Sequence, residues 1–352
     1  MKNADMPALK AEAKAMKLAY TGDHMAGYSR EKKGDQFIYL DTAGHEIIDT
    51  EEQIRIKRLA LPPAWTQVWV CAKANGHLQA TGIDTAGRKQ YKYHSQWSKS
   101  RNEHKHNRMA AFAKALPLIR EKVEADLRRE DFTKDKVVAL AISMMDLTYI
   151  RVGNSVYTKL YGSYGLTSLR NKHIKISGSK IVLAFRGKKG VEQEISVTHA
   201  RMAHLMKKLK DIPGQELFQY YDTDGAKKSI DSGCINEYLE ACTGQDFTAK
   251  DFRTWWGTIT AATYLAEHPL QEASPQKHIV ETLDFVAAKL GNTRTVCKKY
   301  YVHPRLLEYY EEGKLDKYLA RLKAPDVRDM SAIHKTQERV MIDFITHECM
   351  AA

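Results

Sequence analysis

The stretch His173 to Val197, HIKISGSKIVLAFRGKKGVEQEISV, decides the fold. His173 to Ile176 and Lys180 to Phe185 are rich in β-branched and apolar residues and are joined by Ser-Gly-Ser; a third run, Glu192 to Val197, follows the turn at Gly187 to Gly190. This pattern predicts a three-stranded antiparallel element. Its surroundings are helical. Before it, Val138, Ala141, Ile142 and Met145 recur at helix spacing behind Thr133, a candidate N-cap, with an end expected near Ile150. After it, helices are expected over Ala200 to Leu209, Ile235 to Thr243, Arg253 to Glu267, Gln276 to Leu290 and a charged C-terminal segment near Met330 to Thr346.

The N-terminal part reads differently. Residues 1 to about 30 suggest a short Lys/Ala-rich helix and a polar linker. Short β-type runs follow at Phe37 to Leu40, His45 to Asp49, Val68 to Cys71, His77 to Gly82 and Gln90 to His94, separated by turns such as Asp-Thr-Ala-Gly. One helix is expected between them near Glu51 to Leu61, stopped by Pro62 and Pro63. The chain is therefore expected to be α+β: an extension over 1–30, a small β-rich domain over 31–105, and a mainly helical domain over 106–352 holding the three-stranded sheet.

With 352 residues the chain can bury more than one core, and 55 Lys plus Arg against 43 Asp plus Glu give a formal charge of +12. Such a surface attracts polyanions, nucleic acid first. The five cysteines are scattered without a Cys-x-x-Cys, which points to a reduced, cytosolic protein without zinc. No signal pattern opens the chain, and no run approaches the roughly 18 apolar residues of a membrane span. The positive charge is clustered. Arg88, Lys89, Lys92, Lys99, Arg101, Lys105 and Arg108 are interleaved with Tyr91, Tyr93 and Trp97, and Arg170 to Lys189 contains seven cations and no acid. One such segment in each expected domain predicts a basic groove suited to a duplex.

Gly291 to Pro304, GNTRTVCKKYYVHP, sets Tyr300 and Tyr301 behind a basic turn. A phenol attacking a phosphodiester needs cations, because its reference pKa is about 10 and the transition state gathers negative charge on the nonbridging oxygens. Guanidinium forks suit the phosphate, and a lysine can protonate the departing 5′ oxygen. Candidates stand at Arg151, opening Arg-Val-Gly-Asn, where Gly153 would let backbone approach a phosphate; at Arg253, flanked by Phe252, Trp255 and Trp256; and at Lys188, on the expected hairpin tip. Asn292 is a neutral donor nine residues before Tyr301.

MDLTYIRVGN at Met145 to Asn154, FRGK at Phe185 to Lys188, TAKDFRTWWGT at Thr248 to Thr258 and LGNTRTVCKKYYVHP at Leu290 to Pro304 together resemble a type IB DNA topoisomerase of the small bacterial and poxvirus-like group. LPPAW at Leu61, GHLQATG at Gly76 and GRKQYKYH at Gly87 extend the resemblance to about Phe37 through Tyr310. It implies that Arg151 and Arg253 clamp the scissile phosphate, Lys188 protonates the 5′ oxygen, and Tyr301 forms a 3′-phosphotyrosyl link. Many relatives carry histidine where Asn292 stands; an amide can donate there but cannot shuttle a proton. The resemblance also implies DNA contacts at Gln90, Tyr91, Tyr93 and Tyr157, with Arg88 in the same basic segment, and a positioning or proton-donating role at Lys250.

Strand rotation around the intact strand and religation would need neither ATP nor metal, and the relatives act as monomers on duplex DNA. The chain has no phosphate-cradling Gly-x-x-x-x-Gly-Lys loop, and Asp-Thr-Asp-Gly at Asp222 reads as a turn, not a calcium loop. Neighbouring helical residues point about 100° apart, so one tyrosine faces the cations; the spacing from Asn292 and the following Val-His-Pro favour Tyr301, leaving Tyr300 to pack. A tyrosine recombinase and a noncovalent DNA-binding protein are the competing readings. The β-rich N-terminus argues against the first.

Overall fold

The computed structural model describes residues 6–85, 87–269, 274–323 and 330–349. The chain divides into two units, Met1–Lys105 and His106–Ala352. The first contains α1 (Met6–Ala15) and an antiparallel sheet of β1 (Gly27–Lys33), β2 (Gln36–Leu40), β3 (Thr66–Cys71), β4 (Leu78–Ile83) and β5 (Lys89–Tyr93), in the order β2-β1-β3-β4-β5. Between β2 and β3 runs α2 (Thr50–Arg58). Ile56 from this helix packs with Val68, Val70 and Ala80 of the sheet. A separate cluster joins Leu9 and Ala13 of α1 to Leu18 and Trp97.

Two sequence expectations change here. β1 falls partly in the segment expected to be a linker, and its run Arg30, Glu31, Lys32, Lys33 hides any alternation. It is a strand because both neighbours pair with it, Arg30 opposite Tyr39 and Tyr28 opposite Val70. The expected strand at His45 to Asp49 does not form. Instead the Asp41 carboxylate accepts from the Ala43 and His45 N–H groups and curls the chain, while Asp49 caps α2 by accepting from the Glu52 N–H.

A long helix, α3 (Ser95–Leu127), leads into the second unit, followed by α4 (Lys134–Thr148) and α5 (Ser155–Tyr161). The sheet β6 (Ile174–Ser177), β7 (Lys180–Arg186) and β8 (Glu192–Thr198) is antiparallel in that order. Then come α6 (Ala200–Lys210), a two-stranded ribbon of β9 (Gln219–Tyr221) and β10 (Lys227–Ser229), α7 (Ser232–Thr243), α8 (Ala249–Glu267), α9 (Pro275–Leu290), α10 (Arg294–Tyr300), α11 (Pro304–Glu311), α12 (Asp316–Leu322) and α13 (Met330–Phe344).

Thr133 does cap α4, its hydroxyl accepting from the Lys136 N–H, and Tyr149 ends the helix in the left-handed conformation at φ 56°. α4 is buried on nearly every face, as is α8 from Ala249 through Ala266. These two helices are the core against which the candidate catalytic segments are set. Thr248 and Asp251 close a capping box at the start of α8, which fixes where Lys250 and Arg253 emerge.

Candidate active site

Arg253 is held by backbone. Its guanidinium donates to the Tyr149 carbonyl at the end of α4 and, at 2.7 Å, to the Leu290 carbonyl at the end of α9. The fork thus ties two helix C-termini, where carbonyls lack helical partners. Phe252, Trp255 and Trp256 were expected to wall this arginine; they are buried in the core, and Trp256 acts at one remove, donating to Asp146 at 2.7 Å and packing on the Tyr149 ring.

Arg151, two residues past Tyr149, reaches the same place from another side. Its guanidinium donates to the Gly291 carbonyl at 2.6 Å and to Asn292 Oδ1 at 2.5 Å. Asn292 therefore spends its oxygen on Arg151, while its amide nitrogen makes a long 3.4 Å bond to the Leu290 carbonyl. Burial, and then the positive charge of Arg151, push the Arg253 guanidinium below its ordinary range. Burial likewise lowers Arg151, against the opposing pull of Tyr301 and Cys297. Guanidinium still stays charged at neutral pH. Among the described residues both arginines bond carbonyl oxygens and no carboxylate, so neither charge is neutralised there by an ion pair, and the buried Nε–H of Arg253 has no acceptor.

Tyr301 completes the cluster. It is the C-cap of α10, with its N–H on the Cys297 carbonyl at 2.9 Å, and the Arg253 guanidinium lies 5.3 Å from its ring centroid. Tyr300 is the last residue of α10 and lies beneath the Lys299 ammonium, 5.3 Å from its ring centroid. Lys188 sits at the tip between β7 and β8, and lines with Arg151, Arg253, Tyr149, Gln193 and Leu290 a cleft of about 320 Å³. His303 is buried, accepts from the Arg305 N–H and starts α11, a structural position.

Two residues of this site escaped the sequence reading. A side chain on Gly257 would put its Cβ 2.5 Å from the Tyr301 carbonyl oxygen, so bare backbone of α8 is what lets Tyr301 close on Arg253. The next residue, Thr258, is fully buried; its hydroxyl donates toward the Tyr301 carbonyl at 3.3 Å and accepts from the His303 N–H at 3.0 Å. One helix therefore positions both the clamp and the tyrosine. Gly257→Ala is expected to slow formation of a Tyr301 adduct by about 100-fold, the scale of a 1 Å misplacement, as measured in single-turnover cleavage, with noncovalent DNA affinity near wild type.

Gly153 is held by local packing. It takes φ 96°, and a Cβ on Gly165 would lie 2.5 Å from its Cα; the two glycines pack loop on loop, with Leu166 donating to the Arg151 carbonyl at 2.8 Å. Their closeness fixes the backbone that carries Arg151.

The eukaryotic DNA topoisomerase I catalytic core family matches residues 94–325, and the bacterial DNA topoisomerase IB N-terminal domain family matches residues 36–84. The chain belongs to the type IB DNA topoisomerases. DNA topoisomerase 1B of Acanthamoeba polyphaga mimivirus is 34% identical over 306 residues, covering 84% of this chain and 91% of that protein. DNA topoisomerase 1B of vaccinia virus (strain Copenhagen) is 25% identical over 259 residues, 70% of this chain and 76% of that one. Among solved structures, the XerH site-specific recombinase bound to palindromic difH substrate overlaps 57% of this chain and 50% of its own at 14% identity and a TM-score of 0.38, a likeness too loose to argue from.

Of the expected DNA contacts in this enzyme, Tyr91 and Tyr93 share the exposed face of β5, an edge strand, with ring centroids 6.2 Å apart and nearly parallel. Lys89 shares that face, its ammonium 6.0 Å from the Tyr91 ring centroid. Gln90 points to the opposite side and donates to Asp84 at 2.9 Å, where Arg88 also pairs at 2.8 Å. Lys250 is exposed on the first turn of α8, one turn before Arg253. Tyr157 belongs to α5, but its side chain lies outside the described residues. Among the described residues there is no cluster of metal-binding side chains, and no helix is long and apolar enough to cross a membrane.

Proposed function

We propose that this enzyme relaxes supercoiled duplex DNA through a 3′-phosphotyrosyl intermediate on Tyr301. The observation that supports this most directly is the meeting of Arg151, Arg253 and Tyr301, brought from three separate segments, beside the cleft that Lys188 also lines. In this reading the scissile phosphate lies between the two guanidiniums, whose donors face the oxygens that gain charge in the transition state. The Tyr301 oxygen attacks phosphorus, the bond to the 5′ oxygen breaks, and Lys188 gives that oxygen its proton. Asn292 orients Arg151 through its oxygen and offers an amide N–H to a nonbridging oxygen.

Phosphodiester energy is kept in the phosphotyrosine, so the freed strand can rotate and its 5′ hydroxyl can attack back without ATP or added metal. Tyr91 and Tyr93 form an exposed aromatic stripe suited to duplex DNA, flanked by Lys89 in its ion pair with Asp23, and the enzyme acts as a monomer. Supercoiled plasmid incubated with the chain in excess EDTA and no nucleotide is expected to become a ladder of topoisomers differing by single linking steps. Intact supercoils after saturating incubation would defeat the reading, and recombinant products would favour a recombinase.

A further inference from the structure

Gln193 begins the second residue pair of the β7–β8 hairpin, opposite Phe185, and its half-buried side chain lines the same cleft as Arg151, Lys188 and Arg253. Two glycines of the candidate catalytic turns face it. A Cβ on Gly187, which immediately precedes Lys188, would lie 2.9 Å from Gln193 Cγ; a Cβ on Gly291, which immediately precedes Asn292, would lie 3.0 Å from Gln193 Oε1. Gly187 has φ −88° and ψ −166°, a conformation open to any residue, so its missing side chain is explained by the closeness of Gln193 and not by its backbone. Among the described residues the Gln193 amide donates a single long bond, 3.3 Å to the Glu192 carbonyl. Packing therefore fixes the side chain more than hydrogen bonding does.

We propose that Gln193 is a positioning residue for protonation of the leaving strand, a spacer that sets the Lys188 tip against the Gly291–Asn292 turn on which Arg151 rests. The inference depends on Lys188 being the proton donor of the reading above. Lysine has a long stem on an exposed tip, and proton transfer requires its ammonium within about 2.6–3.2 Å of the 5′ oxygen. With the stem of Gln193 against Gly187 and its amide against Gly291, the hairpin cannot fold inward and the lysine starts from a defined height. Loss of the side chain would leave the arginine clamp and Tyr301 in place while loosening the donor.

The test compares single-turnover adduct formation on a duplex with the ordinary 5′ oxygen at the scissile bond and on one with a bridging 5′ sulfur. In the second the phosphorus–sulfur bond breaks and a thiolate departs without needing a proton, since thiols are far more acidic than alcohols. Gln193→Ala is expected to cleave the oxygen substrate about 10- to 100-fold more slowly and the sulfur substrate near the wild-type rate. Gln193→Met, which keeps the length and loses the amide, is expected to restore most of the rate on oxygen. Equal losses on both substrates, or a methionine variant as slow as the alanine one, would overturn the proposal. Lys188→Ala, run beside them, separates the two ideas: equal loss on both substrates in that variant defeats the proton-donor reading itself, whereas sulfur rescue of Lys188→Ala without rescue of Gln193→Ala defeats the spacer alone.

Discussion

Tyr301→Phe is expected to form no covalent adduct on a suicide substrate and to relax no supercoils, while binding duplex DNA nearly as tightly as the wild type. The change removes one oxygen from a half-buried ring and keeps the ring itself against the Arg253 guanidinium, 5.3 Å from its centroid. The backbone bonds that seat the residue, from its N–H to Cys297 and from Thr258 to its carbonyl, involve no phenol. Loss of a covalent nucleophile costs on the order of 10⁶ in kcat in well-studied hydrolases, so residual activity should be undetectable. Tyr300→Phe is the control. It lies at the end of α10 under Lys299 and should retain adduct formation; an adduct kept by Tyr301→Phe and lost in Tyr300→Phe would reassign the nucleophile.

Arg253→Ala is expected to slow cleavage by about 10²–10³ or more with little loss of DNA affinity. Many cations bind the backbone of a duplex, whereas in the proposed mechanism the buried fork of Arg253 serves one phosphate. The alanine variant also leaves the Tyr149 carbonyl without its donor and the Leu290 carbonyl with only the long 3.4 Å bond from Asn292, at a cost of about 1–3 kcal/mol for a buried group left unsatisfied, so its thermal midpoint should fall as well. Arg253→Lys separates the two effects. It keeps the charge and can satisfy one carbonyl but cannot span both and still reach a phosphate, so it should recover stability more than rate. Parallel losses of affinity and rate in both variants would mean that Arg253 merely holds DNA.

Much of the second unit was readable from the chain, because its helices carry strong caps and periodicity: Thr133 before α4, Ser-Gly-Ser between β6 and β7, Gly291 after α9. The N-terminal unit was less legible. β1 has the composition of a charged linker and is a strand through pairing alone, and the segment after β2 was diverted by the Asp41 side chain into a turn. The aromatic stripe was legible in its alternation, since Tyr91 and Tyr93 share a face at period two and Gln90 takes the other; that Gln90 bonds Asp84 there is shown only by the fold.

Chemical identity resides in single side chains, so the resemblance to type IB topoisomerases let the chain propose Tyr301, Arg151, Arg253, Lys188 and Asn292 as a set. Their mutual positions are another matter. Arg151 meets Asn292 across 141 positions, Arg253 meets the Tyr149 carbonyl across 104, and Thr258 meets Tyr301 across 43. No local pattern encodes such distances, because they arise from how α4, α8 and α9 bury their faces against one another. For the same reason the roles of Gly257, Thr258 and Gln193 emerge from the folded chain: each is an ordinary residue in sequence, and each matters through what it leaves room for or presses against.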